Sequence, residues 1–599
     1  VYYSYDDTDR LVEQGMCERH HKMDYIRGAL AYGLKMTELG GNLRIMRTVN
    51  YYSSVSTGIP SGLSFKALDG VVSENDVSLE RCITMPSYEK LYEAPYYKYE
   101  EFSWGTPIVI DSSAEYVERA YWYDKKGRVV QRLDKTSDGW VSRYSTKYDF
   151  SGNVLFVVEE HITPSGKTDV MQTYSQYDDR GHLLSYERRL NGQHFSAVEY
   201  SYDFAGRVAG KKVMRPGTSD KVSIQEEYHR DLRGWLTDLI VKPVNGYDIF
   251  SEHLYYMDVL YDAESRFDGL VSMASSTTSD IMSPVYDIYN YDHLGRIVSN
   301  WKSSDGTRAE FGTEPEIKYD LNGNVVYLKR HSGRRVDIGP EYGMEFIHNG
   351  NRMVSGRIVS PGGECLSNMR FSYYENGNMK SIAGASDIMY NVLNLPHISD
   401  ATYAYLSDGL KWKVSDGEYE RVFLGSFIYV RDSTANEYAI ESVAYPDGRI
   451  MPGDSTIKML DYWYVKDHVG SVRSVYCLND HKKEPLMEIK YYLPFGGNIA
   501  HSSFTGMPEN RWHYAGKEEI SDFVTSNGLS SLKMPAYDFG ARFYMPFLAS
   551  WTTPDPMAGK YLSMSPYAYC ADNPVNLIDP NGKDWYRSED GKDVKWLNM

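Results

Sequence analysis

One pattern constrains this chain more than any other. An aromatic residue, Tyr-Asp, two variable residues, Gly, then Arg or Asn and apolar residues recur along it. Copies read YWYDKKGRVV at Tyr123, KYDFSGNVL at Tyr148, QYDDRGHLL at Tyr177, SYDFAGRVA at Tyr202, YNYDHLGRIV at Tyr291 and KYDLNGNVV at Tyr319. YHRDLRGWL is a degenerate copy with Asp231 and Gly234. Tyr261-Asp262 lacks the glycine, SYYENGNMK keeps Gly377 without the aspartate, and Tyr5-Asp6 has Asp9 where glycine would sit. The pattern's aspartates fall at 124, 149, 178, 203, 231, 262, 292 and 320, at intervals of 25, 29, 25, 28, 31, 30 and 28. A drifting period of this size belongs to solenoids and related arrays.

The unit has a physical reading. Val198, Tyr200 and Tyr202 alternate with Glu199 and Ser201, the period of a half-buried strand. Asp then starts a tight turn through its side chain, and Gly supplies positive φ. The chain reverses into a second strand, such as Val129-Val130 or Val154-Leu155. Each unit is thus a β-hairpin, unstable alone but able to bury its faces against stacked neighbours. The expected class is all-β, one array running to about residue 500. The 54 Tyr against 19 Phe, and the 49 Gly, suit strands with wet edges and many turns.

With 82 Asp+Glu against 64 Lys+Arg the net charge is -18, which disfavours nucleic acid as a partner. No run of 18 apolar residues occurs, so no spanning helix is expected. VYYSYDDTDRL lacks the basic start and apolar run of a signal peptide and reads as the middle of a repeat, so the chain is expected to be an N-terminally truncated fragment. Cys17, Cys82, Cys365, Cys477 and Cys570 are odd in number and far apart, which predicts free thiols rather than a disulfide framework or zinc site. His20-His21 has no third ligand at useful spacing, and no metal or cofactor is expected. Arg334-Arg335 and Lys482-Lys483 read as exposed faces, and Met23 to Thr37 as a short amphipathic piece. GxSxG, HExxH and P-loop motifs are absent.

Beyond Tyr374 the pattern changes, and an ordered series follows: DHVGSVRSV, YYLPFGG, RWHYAGKE, YDFGARFYMP, WTTPDP, SPYAYCADNPVN and DPNG. With the repeats, this series resembles the RHS/YD-repeat family and its C-terminal RHS-repeat-associated core domain. That family includes bacterial polymorphic toxins, the C component of insecticidal Tc toxins and the teneurins. The resemblance implies hairpins wound into a hollow spiral shell, a β-cocoon, plugged by the core domain. It divides the chain into a YD-repeat shell at 1–463, a core domain or plug at 464–582, and the start of a variable toxin region at 583–599.

The resemblance further implies a secreted or cell-surface bacterial protein that encloses its own C-terminal toxin as cargo. Secretion-machinery and immunity proteins are the partners it implies. At most the chain is an aspartyl autoprotease, with Asp555 and Asp579 as the catalytic pair and the cut beyond Gly582, near Lys583 and Asp584. Two nearby carboxylates share a proton, so that one activates water while the other polarises the carbonyl. Ser550, Ala558 and Lys583 depart from the self-cleaving pattern, which has arginine, glycine and commonly an apolar residue there. On its own the Asp-Pro pairing reads as turn-capping. The alternative function is an adhesion or recognition scaffold with a teneurin-like shell and no cargo.

Overall fold

The computed structural model describes residues 2–5, 10–17, 43–51, 58–78, 85–94, 96–97, 115–214, 222–243, 248–261, 263–279, 281–303, 308–331, 341–382, 388–397, 401–435, 437–453, 458–478, 486–503, 510–525, 533–588 and 594–595. The segment 23–37, His20, His21, Cys82, Asp6, Asp9, Asp262, Arg334, Arg335, Lys482 and Lys483 lie outside the described residues, as does the Cys17 side chain.

The chain divides into two compact units, Val1–Phe195 with Tyr390–Glu441, and Ser196–Met389 with Ser442–Met599. In the first unit, strands pair antiparallel in chain order from Tyr2–Tyr5 to Leu183–Leu190, except Tyr96–Tyr97, which pairs with Tyr390 and Asn391. Fully buried Trp140 packs at a tilt against Tyr429 and edge-on against Tyr438, and Lys413 reaches both Glu115 and Asp138.

In the second unit the same meander runs from Val208–Met214 to Met379–Ile382. A second antiparallel run joins Gly448–Pro452, Met459–Lys466, Val472–Cys477, Leu486–Tyr492 and Asn498–Ser503. A four-stranded sheet follows, of Glu518–Thr525, Lys533–Asp538, Phe543–Met545 and Ser550–Trp551. The all-β expectation holds among the described residues.

The repeat motif proves to be a wired turn. In the copy at Asp292, the carboxylate Oδ1 accepts the amides of Leu294 and Arg296 at 2.9 and 3.0 Å. The main chain closes the turn through Gly295 N to Asp292 O, with Gly295 at φ 77°. The same pair of Oδ1 bonds recurs at Asp124, Asp178, Asp203, Asp231 and Asp320, and at Asp149 Oδ1 accepts the amides of Gly152 and Asn153 instead. The residue after Gly also has a role. Arg128, Asn153, His182, Arg207, Arg296 and Asn324 each bond the Oδ2 of their own turn's aspartate. Oδ2 is thereby satisfied within the hairpin, which sequence periodicity alone does not reveal.

The tyrosine of the motif links one repeat to the last. The Tyr148 hydroxyl donates to Val129 O at 3.0 Å, and Tyr319 to Ile297 O at 2.7 Å. Arg128 lies over the Tyr148 ring at 4.5 Å and Arg296 over Tyr319 at 4.6 Å. The polar tip of tyrosine satisfies a backbone carbonyl that phenylalanine could not. Hence the motif prefers tyrosine to phenylalanine because its hydroxyl joins neighbouring hairpins.

Candidate functional site

The C-terminal series folds onto the repeat strands of its own unit. Arg330, from the strand Val325–His331, is buried with Glu314 and donates to the carbonyls of Pro546 and Phe547 at 2.8 and 3.0 Å. Asn573 donates to Gly295 O, while Asn576 donates to the Tyr291 hydroxyl and accepts the Val271 amide. Ser565 N bonds Asn322 O, and the Tyr567 hydroxyl bonds Gly377 O. The core is aromatic: Tyr544 stacks on Tyr569 at 4.0 Å, and both contact Phe539, Trp551 and Tyr514. Cys570, Ala571 and Asp572 form three consecutive non-glycine residues with positive φ. Such backbone is costly and survives only where its surroundings fix it, as the Asn573 and Asn576 bonds do here.

Asp555 and Asp579 are both turn residues. Asp555 Oδ1 accepts Met557 N at 2.7 Å. Asp579 Oδ1 accepts Gly582 N at 2.6 Å and Asn581 N at 3.2 Å. The turn-capping role is therefore real. Their remaining oxygens converge. Asp555 Oδ2 and Asp579 Oδ2 lie 3.1 and 3.3 Å from one nitrogen, Nη2 of Arg542. The same guanidinium donates through Nε to the carbonyl oxygen of Gly582 at 2.6 Å, and its face covers Trp551 at 4.0 Å. Arg542 lies inside YDFGARFYMP, where its sequence neighbours give it no visible role. It follows the Asp538–Gly540 turn, and no linear spacing marks its partners.

Arg542 and Asp579 are each 1% exposed at the side chain, and Asp555 10%. Burial pushes both carboxyls up, and Arg542 pulls them back. For Asp579 the amides of Gly582 and Asn581 pull down as well, while the Asp555 charge pushes up. Two carboxyls on one cation leave one negative charge in excess, so a shared proton relieves the site.

The bond following this carbonyl is framed on both sides. A Cβ at Gly582 would meet Arg542 N at 3.0 Å and Phe539 Cβ at 3.2 Å, so only glycine lets the carbonyl reach the guanidinium. Lys517 donates to Pro580 O at 2.6 Å, and burial lowers its pKa. Lys583 is exposed, whereas Gly582 is buried. Ser550, at the position where arginine was expected, bonds the carbonyls of Trp551 and Tyr567. Ala558 N closes the Asp555 turn.

A second buried charge cluster comes from DHVGSVRSV. The His468 ring bonds Glu252 Oε1 through Nδ1 and Val575 O through Nε2, both at 2.9 Å. Acceptors on both ring nitrogens require the doubly protonated form. Burial lowers the pKa of His468, but Glu252 outweighs it and sets the value at about 9. Among the described residues no group of three metal-ligating side chains occurs, and no helix is long and apolar enough to cross a membrane. Cys477 and Cys570 are buried free thiols and Cys365 an exposed one.

No family model and no curated protein matches the sequence. Among solved structures, the fold is similar to that of a TcdB2–TccC3–Cdc42 complex and of a TcdB2–TccC3 complex. Each has a TM-score of 0.51 at 13% identity, covering 97% of this chain and 31% and 32% of those chains. It is also similar to the Tc holotoxin pore of Photorhabdus luminescens, at a TM-score of 0.50 and 13% identity, over 97% of this chain and 30% of that one. The chain thus spans about a third of the length of the structures it matches. At this identity the likeness is one of fold, and at that level it agrees with the resemblance read from the repeats.

Proposed function

We propose that this chain, whose fold is that found in the Tc toxin complexes, is an RHS-type shell that encloses and delivers a C-terminal toxin. In this reading 1–463 forms a hollow spiral shell, 464–582 plugs it, and 583–599 begins the cargo. The protein is secreted or displayed by a bacterium, with secretion-machinery and immunity proteins as its partners.

The plug cuts the chain between Gly582 and Lys583. The carrying observation is that Arg542 touches Asp555, Asp579 and the Gly582 carbonyl at once. Arg542 polarises the carbonyl, the task otherwise given to a protonated carboxyl. The ionised carboxyl takes a proton from the attacking water, and the other carboxyl protonates the leaving Lys583 nitrogen. Water is consumed, leaving a Gly582 carboxylate and a Lys583 amine. The test is a denaturing gel of the full chain, extended at its C-terminus by a marker domain, beside Asp555→Asn and Asp579→Asn. Two bands in the parent and one in each variant are expected. One uncut band in all three rejects self-cleavage.

A further inference from the structure

The two carboxyls at the proposed cut are tied to opposite sides of the bond. Asp579 Oδ1 accepts the amides of Asn581 and Gly582, which belong to the acyl side. The Asp555 turn reaches the leaving side instead. Ala558 N closes that turn, and the chain runs on through Lys560 to Tyr561. The Tyr561 hydroxyl donates to Asp584 Oδ1 at 2.8 Å, and Lys560 Nζ lies 3.3 Å from the same oxygen. Trp585 packs on the Tyr561 ring at 5.3 Å between centroids. The Asp584 side chain is 14% exposed, so solvent ions screen its charge little. Burial pushes the Asp555 carboxyl up, Arg542 pulls it back, and the Asp584 charge pushes it up again. Asp579 is pushed up by burial but pulled down by Arg542 and by the amides of Gly582 and Asn581. The other groups facing the pair are Lys517, the Cys570 thiol and the hydroxyls of Tyr561, Tyr569 and Tyr586. Burial pushes the thiol and the hydroxyls up, so they stay neutral.

We propose, resting on the cleavage reading above, that Asp584 is a positioning residue for the cut: its charge keeps the pair's shared proton on Asp555, which makes Asp555 the acid and Asp579 the base. A like charge nearby favours the protonated form of a carboxyl, whereas amide donors favour the ionised form. The two environments therefore divide the roles that a symmetric pair would leave open. Asp579 takes one proton from water, and the hydroxyl oxygen bonds the Gly582 carbonyl carbon. The bond from that carbon to the Lys583 nitrogen breaks, and Asp555 gives its proton to the nitrogen. The pair still holds one proton, now on Asp579. The residue two places beyond the carbonyl thus acts on the reaction through Asp555, without touching the reacting atoms.

The test has two arms. In the first, the full chain with a C-terminal marker domain is pulse-labelled in cell-free translation and shifted to buffers between about pH 5 and 9. Denaturing gels follow the cut. Asp584→Asn keeps an oxygen for the Tyr561 hydroxyl but loses the charge. It is expected to slow the cut about three- to tenfold at the alkaline end, to move the alkaline limb to lower pH, and to leave the acid end near the parent rate. Tyr561→Phe is expected to shift the limb less, in the same direction. Equal slowing at every pH, or no slowing, overturns the proposal. The second arm needs no cut. In the Asp579→Asn chain, the part of the protonated-carboxyl infrared band that Asp555→Asn removes reads the Asp555 proton. Adding Asp584→Asn is expected to make that band disappear at lower pH, and an unmoved band overturns the proposal. A parent that stays whole while the band moves counts against the cleavage reading alone.

Discussion

The turn at Asp292 and the turns at Asp555 and Asp579 use the same parts to different ends. In each, one carboxylate oxygen caps backbone amides and the other meets an arginine. At Asp292 the arginine is Arg296, four residues on, and both side chains are about one-fifth exposed. In the C-terminal series a single arginine from another strand region serves two turns, and it is 1% exposed. Local pairing makes a self-contained hairpin that can be repeated along the chain. Shared, buried pairing makes a place where distant segments depend on one another, and where a third group, the Gly582 carbonyl, is drawn in.

The sharpest way to break this contrast is to remove each arginine. Arg542→Leu leaves two carboxyls buried without their cation and should cost about 3–5 kcal/mol. Arg296→Leu removes a solvent-screened pair and should cost about 1 kcal/mol or less. Paired denaturant titrations read the difference. Equal losses would mean that sharing adds nothing.

The His468 cluster carries the next largest effect. Its pKa is raised from 6.5 to about 9 in the folded protein. The stabilisation is therefore full below pH 6.5 and is lost as pH rises through about 9, amounting to about 3 kcal/mol. A melting temperature that falls between pH 7 and 10, and falls less in Glu252→Gln, checks the sign. A flat profile in the parent would contradict it.

Asparagine substitution separates the two uses of aspartate. Asn retains the oxygen that caps a turn. Asp579→Asn should therefore keep the fold within about 1–2 kcal/mol while abolishing the cut. Asp292→Asn should cost a comparable or smaller amount with cleavage intact. Both are read by melting and by gel. The smallest effect belongs to the links between repeats. Tyr319→Phe removes the bond to Ile297 O and should cost about 1 kcal/mol by denaturant titration.

Much of the hairpin was legible because its logic is local. Asp and Gly at fixed offsets define the turn, and alternation defines the strand, as Val198 and Tyr200 buried beside exposed Glu199 and Ser201 bear out. The pairing of Arg296 or Asn324 with its own aspartate was visible as a residue preference but not as a bond. Asp555 and Asp579 were singled out through the resemblance to the RHS core domain, while their Asp-Pro sequence by itself marked only the turns that their amide bonds show. Arg542 was not found as a partner, because it meets Asp579 across 37 residues of chain. The anchoring of Asp584 by Tyr561 spans 23 residues and was hidden for the same reason. Periodicity reports what repeats, and the contacts of the C-terminal series occur once.

The central claim is that Arg542, Asp555 and Asp579 together break the bond after Gly582. Intact-mass measurement of the purified chain tests it most directly. The account predicts two species, one ending at Gly582 and one beginning at Lys583, and a single uncut species from Arg542→Gln and Asp579→Asn. A parent chain that stays whole, or a cut at another bond, would contradict it.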